Sequence, residues 1–172
     1  MKILKHLKFH DAEIEISGNP KIKFKIERND ENLFIANRIY IELTTRKAAL
    51  EIDENDVIEE IYNSWYILFG VIREEIKSLP GKYLREHDAT LSLIGLTRKI
   101  LNDGMRPHLT VYQAQFRAWL IEAKKVPQNA SLSPQALQQK YPDYKNLFFS
   151  IKQVNKTLIG YADELDKLIK GK

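Results

Sequence analysis

The sequence predicts a mainly α-helical fold: an antiparallel bundle of four to five helices, preceded by a small N-terminal β-hairpin of two or three strands. Three observations carry this. Tyr144, Ile151, Leu158 and Leu165 fall seven apart, and Leu147, Val154, Tyr161 and Leu168 follow each of them by three. That is an unbroken a/d seam, and it predicts one long coiled-coil-like helix of roughly 40 Å at about 1.5 Å per residue. A second apolar stripe, Ile58, Ile61, Tyr62, Trp65, Leu68, Phe69, Ile72, Ile76 and Leu79, has helical spacing. Near the N-terminus, Lys21-Ile-Lys-Phe-Lys-Ile26 alternates charged and apolar residues, the period of a half-buried strand.

Glu13-Ile-Glu-Ile16 alternates with the opposite charge, and Ser17-Gly-Asn-Pro20 supplies turn residues between the two runs. A register that sets Glu15 against Lys23, Glu13 against Lys25, Ile16 against Ile22 and Ile14 against Phe24 pairs charges on one face and apolar groups on the other. Residues 2–9 are the candidate third strand, with Leu7 and Phe9 two apart. The expected organisation is a hairpin appendage over 1–28 and a helical bundle over 29–172.

In the bundle, Leu33, Ala36, Ile39, Tyr40 and Leu43 predict a first helix ending near Ala48. The second starts after Asp53 or Asn55, with acidic residues in its first turn as the helix dipole favours. It is apolar nearly all round between Trp65 and Ile72, so it is expected to be the most buried helix. Pro80-Gly81 ends it. A third helix runs from Glu86 or Asp88 to Asp103, with Gly104 as a left-handed cap. Met105-Arg-Pro-His-Leu-Thr110 is expected to be a corner, with Thr110 capping a fourth helix that turns Tyr112, Phe116, Trp119 and Ala123 inward. Ser133-Pro-Gln-Ala136 opens a short helix, Pro142 starts the last one and Gly171 ends it.

Composition narrows the chemistry. The absence of cysteine excludes disulfides, thiolate metal sites and cysteine nucleophiles. The basic N-terminus lacks an apolar core of signal-peptide length. The longest uncharged apolar run, Trp65 to Ile72, is too short to span a bilayer, so a cytoplasmic protein is expected. A net charge of +4 permits an anionic partner without requiring one.

Catalytic and metal motifs are not found in the sequence. The bundle has no Glu-x-x-His pair of the di-iron type, and His6, His10, His87 and His108 are dispersed. No glycine-rich phosphate loop or Gly-x-Ser-x-Gly elbow occurs. HEPN-type bundle ribonucleases use an Arg separated from a His by four to six residues. Here one residue separates Arg85 from His87, and one separates Arg106 from His108. No cofactor and no metal are expected.

Three places are candidates for binding. At the expected corner, Pro107 would hold Arg106 and His108 side by side before a helix N-terminus, where an anion is favoured; the same residues also suit a rigid interhelical turn. Arg98, Lys99, Arg106, Arg117, Lys124 and Lys125 outnumber Asp103 and Glu122 over two helices, so Arg98, Arg106, His108 and Arg117 form a candidate anion or nucleic-acid face. That stripe also fits a solvated surface balanced by Glu51, Asp53, Glu54, Asp56, Glu59 and Glu60. Lys21, Lys23 and Lys25 on the hairpin, Arg46 and Lys47 at a helix end, and the off-stripe Tyr66 are candidate contacts for a protein partner. The leading expectation is a non-enzymatic binding or regulatory module that presents a protein-interaction surface and self-associates. A nucleotide or nucleic-acid binder comes second, and a small hydrolase or nuclease centred on Arg106 and His108 third.

Overall fold

A computed structural model describes residues 11–16, 22–81 and 88–171. The fold is mainly helical. The expected third strand at 2–9, the turn at 17–20, Lys21, and the pair Arg85/His87 lie outside the described residues, as do the side chains of Lys23 and Lys25.

Strands β1 (Asp11–Ile16) and β2 (Ile22–Glu27) pair antiparallel, with Glu13 opposite Lys25, Ile14 opposite Phe24 and Glu15 opposite Lys23. β1 packs on the last helix and β2 on the start of the third. Ile26 is fully buried in the core.

Helix α1 (Asp30–Thr44) begins at Asn29, whose side chain accepts the Asn32 N–H. It stops at Thr44 rather than near Ala48. Thr44 Oγ1 donates to the Tyr40 carbonyl, Thr45 Oγ1 to that of Ile41, and the Ala49 N–H closes on Leu43. The Ala49 N–H takes the Leu43 carbonyl that a further α-turn would have given to Lys47.

Helix α2 (Ile58–Lys77) starts later than the acidic residues imply, because its cap comes from elsewhere in the chain. Gln138 accepts the Ile58 N–H through Oε1 and donates to the Asp56 carbonyl through Nε2. Trp65, Leu68 and Ile72 are fully buried, but α2 is not enclosed: Tyr66 and Ile67 stand about half exposed, at 48% and 51%. A continuous apolar run therefore reaches beyond the core-facing stripe.

The largest departure lies in the third rod. Helix α3 (Asp88–Lys99), a π-helical turn (Ile100–Met105), α4 (Arg106–His108), a second π turn (Leu109–Gln113) and α5 (Ala114–Lys125) follow without a break. Every junction residue keeps right-handed helical dihedrals. There is no corner at 105–110, and Gly104 is no left-handed cap; among the described residues only Gly171 has positive φ. The cause is Pro107, which has no N–H and whose ring collides with the carbonyl four residues back in a regular helix. A wider π turn just before it, in which the Arg106 N–H reaches the Leu101 carbonyl, lets the helix pass through. Thr110 caps nothing; its hydroxyl donates back to the Arg106 carbonyl.

A 3-10 turn (Pro127–Asn129) and the short α6 (Pro134–Gln138), capped by Ser133, cross the end of the bundle. Helix α7 (Tyr144–Lys170) then runs its length. Leu147, Ile151, Val154, Leu158, Tyr161, Leu165 and Leu168 are all buried, and Tyr144 is half-buried. Gly171 ends α7 at φ 71°. Arg28 donates from Nε and Nη2 to the carbonyls of Leu168 and Ile169, so the entry to the bundle caps its exit.

Named contacts fix the directions. Arg38 pairs with Glu75 and Lys47 Nζ with Asp56, setting α1 antiparallel to α2. Glu59 pairs with Lys124 and Tyr62 bonds His108, setting α2 antiparallel to the rod. His108 bonds Ser150, and Gly104 lies beside Leu158 and Tyr161, setting the rod antiparallel to α7. The bundle therefore runs up, down, up, down. Buried Asn155 on α7 stitches in the α1–α2 loop, donating to the Ala48 and Leu50 carbonyls and accepting the Ile52 N–H.

Candidate protein-interaction surface

The inward side of the rod holds the most concentrated polar chemistry. His108 is buried, with Nε2 2.8 Å from Tyr62 Oη and Nδ1 2.7 Å from Ser150 Oγ. Its ring stacks on Tyr112 at 5.1 Å and meets Trp65 edge-on at 5.6 Å. Burial pulls the imidazole pKa down to about 4 and pushes the Tyr62 phenol above its usual range. A neutral imidazole between two neutral hydroxyls satisfies both ring nitrogens and ties α2, the rod and α7 together. The partner across the ring from Ser150 is a phenol rather than a carboxylate, so no anion there would stabilise the imidazolium that base catalysis forms.

The sequence-predicted site residues separate in space. His108 faces the core, while Arg98, Arg106 and Arg117 are exposed along the rod. Arg98 lines a shallow surface hollow of about 200 Å³ with Gly95, Lys99, Asn102 and Asp103. Arg46 is paired to Glu42 at 2.6 Å, and Lys47 reaches Asp56 and the Glu51 carbonyl. Tyr66 stands on the outside of α2. Among the described residues, no cluster of three or more His, Asp or Glu side chains is placed to hold a metal, and no helix is long and apolar enough to cross a membrane.

An apolar strip lies on the outside, along the groove between α1 and α2. Phe34 and Ile41, one heptad apart on α1, are 61% and 47% exposed; Ile67 on α2 is 51% exposed and Val71, one turn on, is half-buried. Both rows border the seam where Arg38 Nη2 meets Glu75 Oε1 at 2.6 Å. The Arg38 guanidinium also lies over the Phe34 ring, 5.4 Å from its centroid. At the far end the groove deepens into a hollow of about 420 Å³ lined by Asp30, Glu31, Phe34, Ile35, Ser78, Leu79 and Pro80. A second cleft, of about 220 Å³, lies at the opposite end of the bundle between Val57, Phe116, Leu120 and Leu137.

Sequence reasoning missed Phe34, Ile41 and Ile67 as surface groups. The usable signal was their place off the core stripe, one step from Leu33, Tyr40 and Leu68, on helices whose buried face was already filled.

Comparison of the chain with protein-family models, with curated proteins and with solved structures gave no match.

Proposed function

We propose that the chain is a non-enzymatic binding module that docks protein along the outer α1–α2 groove, a second copy of itself first. The observation that carries this is the apolar strip of Phe34, Ile41 and Ile67 left open on either side of the Arg38–Glu75 pair. Large apolar groups aligned in one groove are what an interface buries, whereas isolated ones are ordinary. The groove is also self-complementary. A two-fold axis through it sets apolar rows against apolar rows. Tyr66, on the side of α2 opposite Glu75, lies outside this contact.

The reading includes the N-terminal hairpin appendage and its lysines, Lys21, Lys23 and Lys25, as a second element offered to a partner by strand pairing.

Light scattering across a concentration series tests the groove. The wild-type chain is expected to exceed monomer mass, and Ile67→Lys to return it to monomer with an unchanged thermal melt, since Ile67 is half exposed. A wild-type chain that stays monomeric at every concentration, or an Ile67→Lys variant that still associates, overturns the reading.

A further inference from the structure

A second surface lies along the outer face of α7. About half of the described cations are engaged by acids, among them Arg38 by Glu75, Lys99 by Asp103, Lys124 by Glu59, Lys167 by Glu164 and Lys170 by Asp166, whereas Arg98, Arg106 and Arg117 on the rod are engaged by no described acid. On α7, Lys145, Lys152 and Lys156 are exposed and make no ion pair with a described residue. They recur with Phe149 at intervals of four, three and four, a single line along the outer face of α7. Phe149 is 65% exposed, the most exposed large apolar side chain among the described residues.

The line is a built feature. Ser150, which meets the rod, and Asn155, which meets the α1–α2 loop, mark the two edges of the buried face, and the line runs outside both. Beneath it Tyr144 and Phe148 stack at 5.5 Å, and Lys152 Nζ lies 5.2 Å from the Phe148 ring centre, which holds its ammonium close to the strip. Asp163, two turns beyond Lys156, closes the line at its far end.

We propose that this face of α7 binds single-stranded nucleic acid, with Phe149 stacking a base and Lys145, Lys152 and Lys156 contacting phosphates. The combination is what sequence-tolerant single-strand binding needs: an aromatic face open to a base and cations spaced along the backbone path. The strip spans about 16 Å at about 1.5 Å per residue, close to the shortest single-strand sites of roughly four nucleotides. An anionic membrane is the poorer occupant, because an interfacial helix needs a broad apolar face and this one offers a single ring beside Asn146, Gln153 and Gly160. This site is separate from the α1–α2 groove, so its failure would leave the interaction reading untouched.

The test is fluorescence anisotropy of a labelled twelve-nucleotide single strand on the full chain, titrated at several salt concentrations. Binding is expected to weaken with salt with a log–log slope of about −2, the release expected for three phosphate contacts at roughly 0.7 each. Phe149→Ala is expected to weaken binding roughly ten-fold, and the triple variant Lys145→Gln, Lys152→Gln, Lys156→Gln to flatten the salt slope. Lys124→Gln, which changes a cation already held by Glu59, serves as the control and is expected to bind as wild type. All four positions of the strip are exposed, and thermal melts of the variants confirm folding. No binding at 50 mM salt, binding indifferent to Phe149→Ala, equal loss in Lys124→Gln, equally strong competition by poly-glutamate, or a Phe149-dependent preference for anionic vesicles would each overturn the proposal.

Discussion

The rod and α7 lie side by side and antiparallel, yet they solve helix packing in opposite ways. α7 keeps one hydrogen-bonding pattern from Tyr144 to Lys170, so its apolar residues stay in phase with the core for its whole length. The rod changes pattern twice around Pro107, and each wide turn shifts the phase of the residues that follow. That shift brings the polar residues His108 and Gln113 inward, where a regular continuation would favour apolar ones. Constant backbone geometry makes a face readable from spacing; a mid-helix proline moves that face and admits polar groups to the core, which must then find partners.

The largest expected effect tests the regular helix. Leu158 is fully buried on α7, so Leu158→Asp places an unpaired charge in the seam at a cost of several kcal/mol, comparable to the whole stability of a domain. The variant is expected to lose its cooperative melt by circular dichroism. A native-like transition would remove the seam from its organising role.

A smaller effect belongs to the irregular one. The imidazole of His108 titrates near 4 in the fold against 6.5 when unperturbed. As pH falls from 6.5 towards 4 the unfolded chain takes up the proton first, so this group's contribution is complete above about pH 6.5 and is lost through that window. The loss is on the order of 2–3 kcal/mol. Urea unfolding at pH 7 and pH 4.5 is expected to show a larger stability drop for wild type than for His108→Gln. Equal drops would mean that the ring is not buried neutral among its hydroxyls.

The finest comparison applies one substitution to both regions. Gly171→Ala is expected to cost about 1–2 kcal/mol, because φ is 71° and the added carbon would lie 2.5 Å from Arg28 Nη1. Gly104→Ala is expected to stabilise by up to about 1 kcal/mol and raise Tm by roughly 2–4 °C. Its backbone is helical, and the new carbon would meet Tyr161 and Leu158 at ordinary contact distances, 3.5 and 3.8 Å. Thermal melts of the pair that move in the same direction would contradict the distinction between a cap and a through-going turn.

Spacing alone determined the mainly helical class, the buried seam of α7, the inward stripe of α2 and the end of the chain's last helix at Gly171, because each depends on periodicity or on one residue's local preference. The tertiary structure decided what depends on distant partners. Gln138 caps α2 from the far side of the bundle, Asn155 holds the α1–α2 loop, Arg28 covers the end of α7, and a π turn carries the rod through Pro107. The candidate surfaces divide in the same way. The cations and aromatics of α7 can be read in order from the sequence. The freedom of Lys145, Lys152 and Lys156 from acidic partners among the described residues, and the pairing of Arg46 and Lys47 with Glu42 and Asp56, follow from which helix faces are left outside once the cores have met, a property no single helix carries by itself.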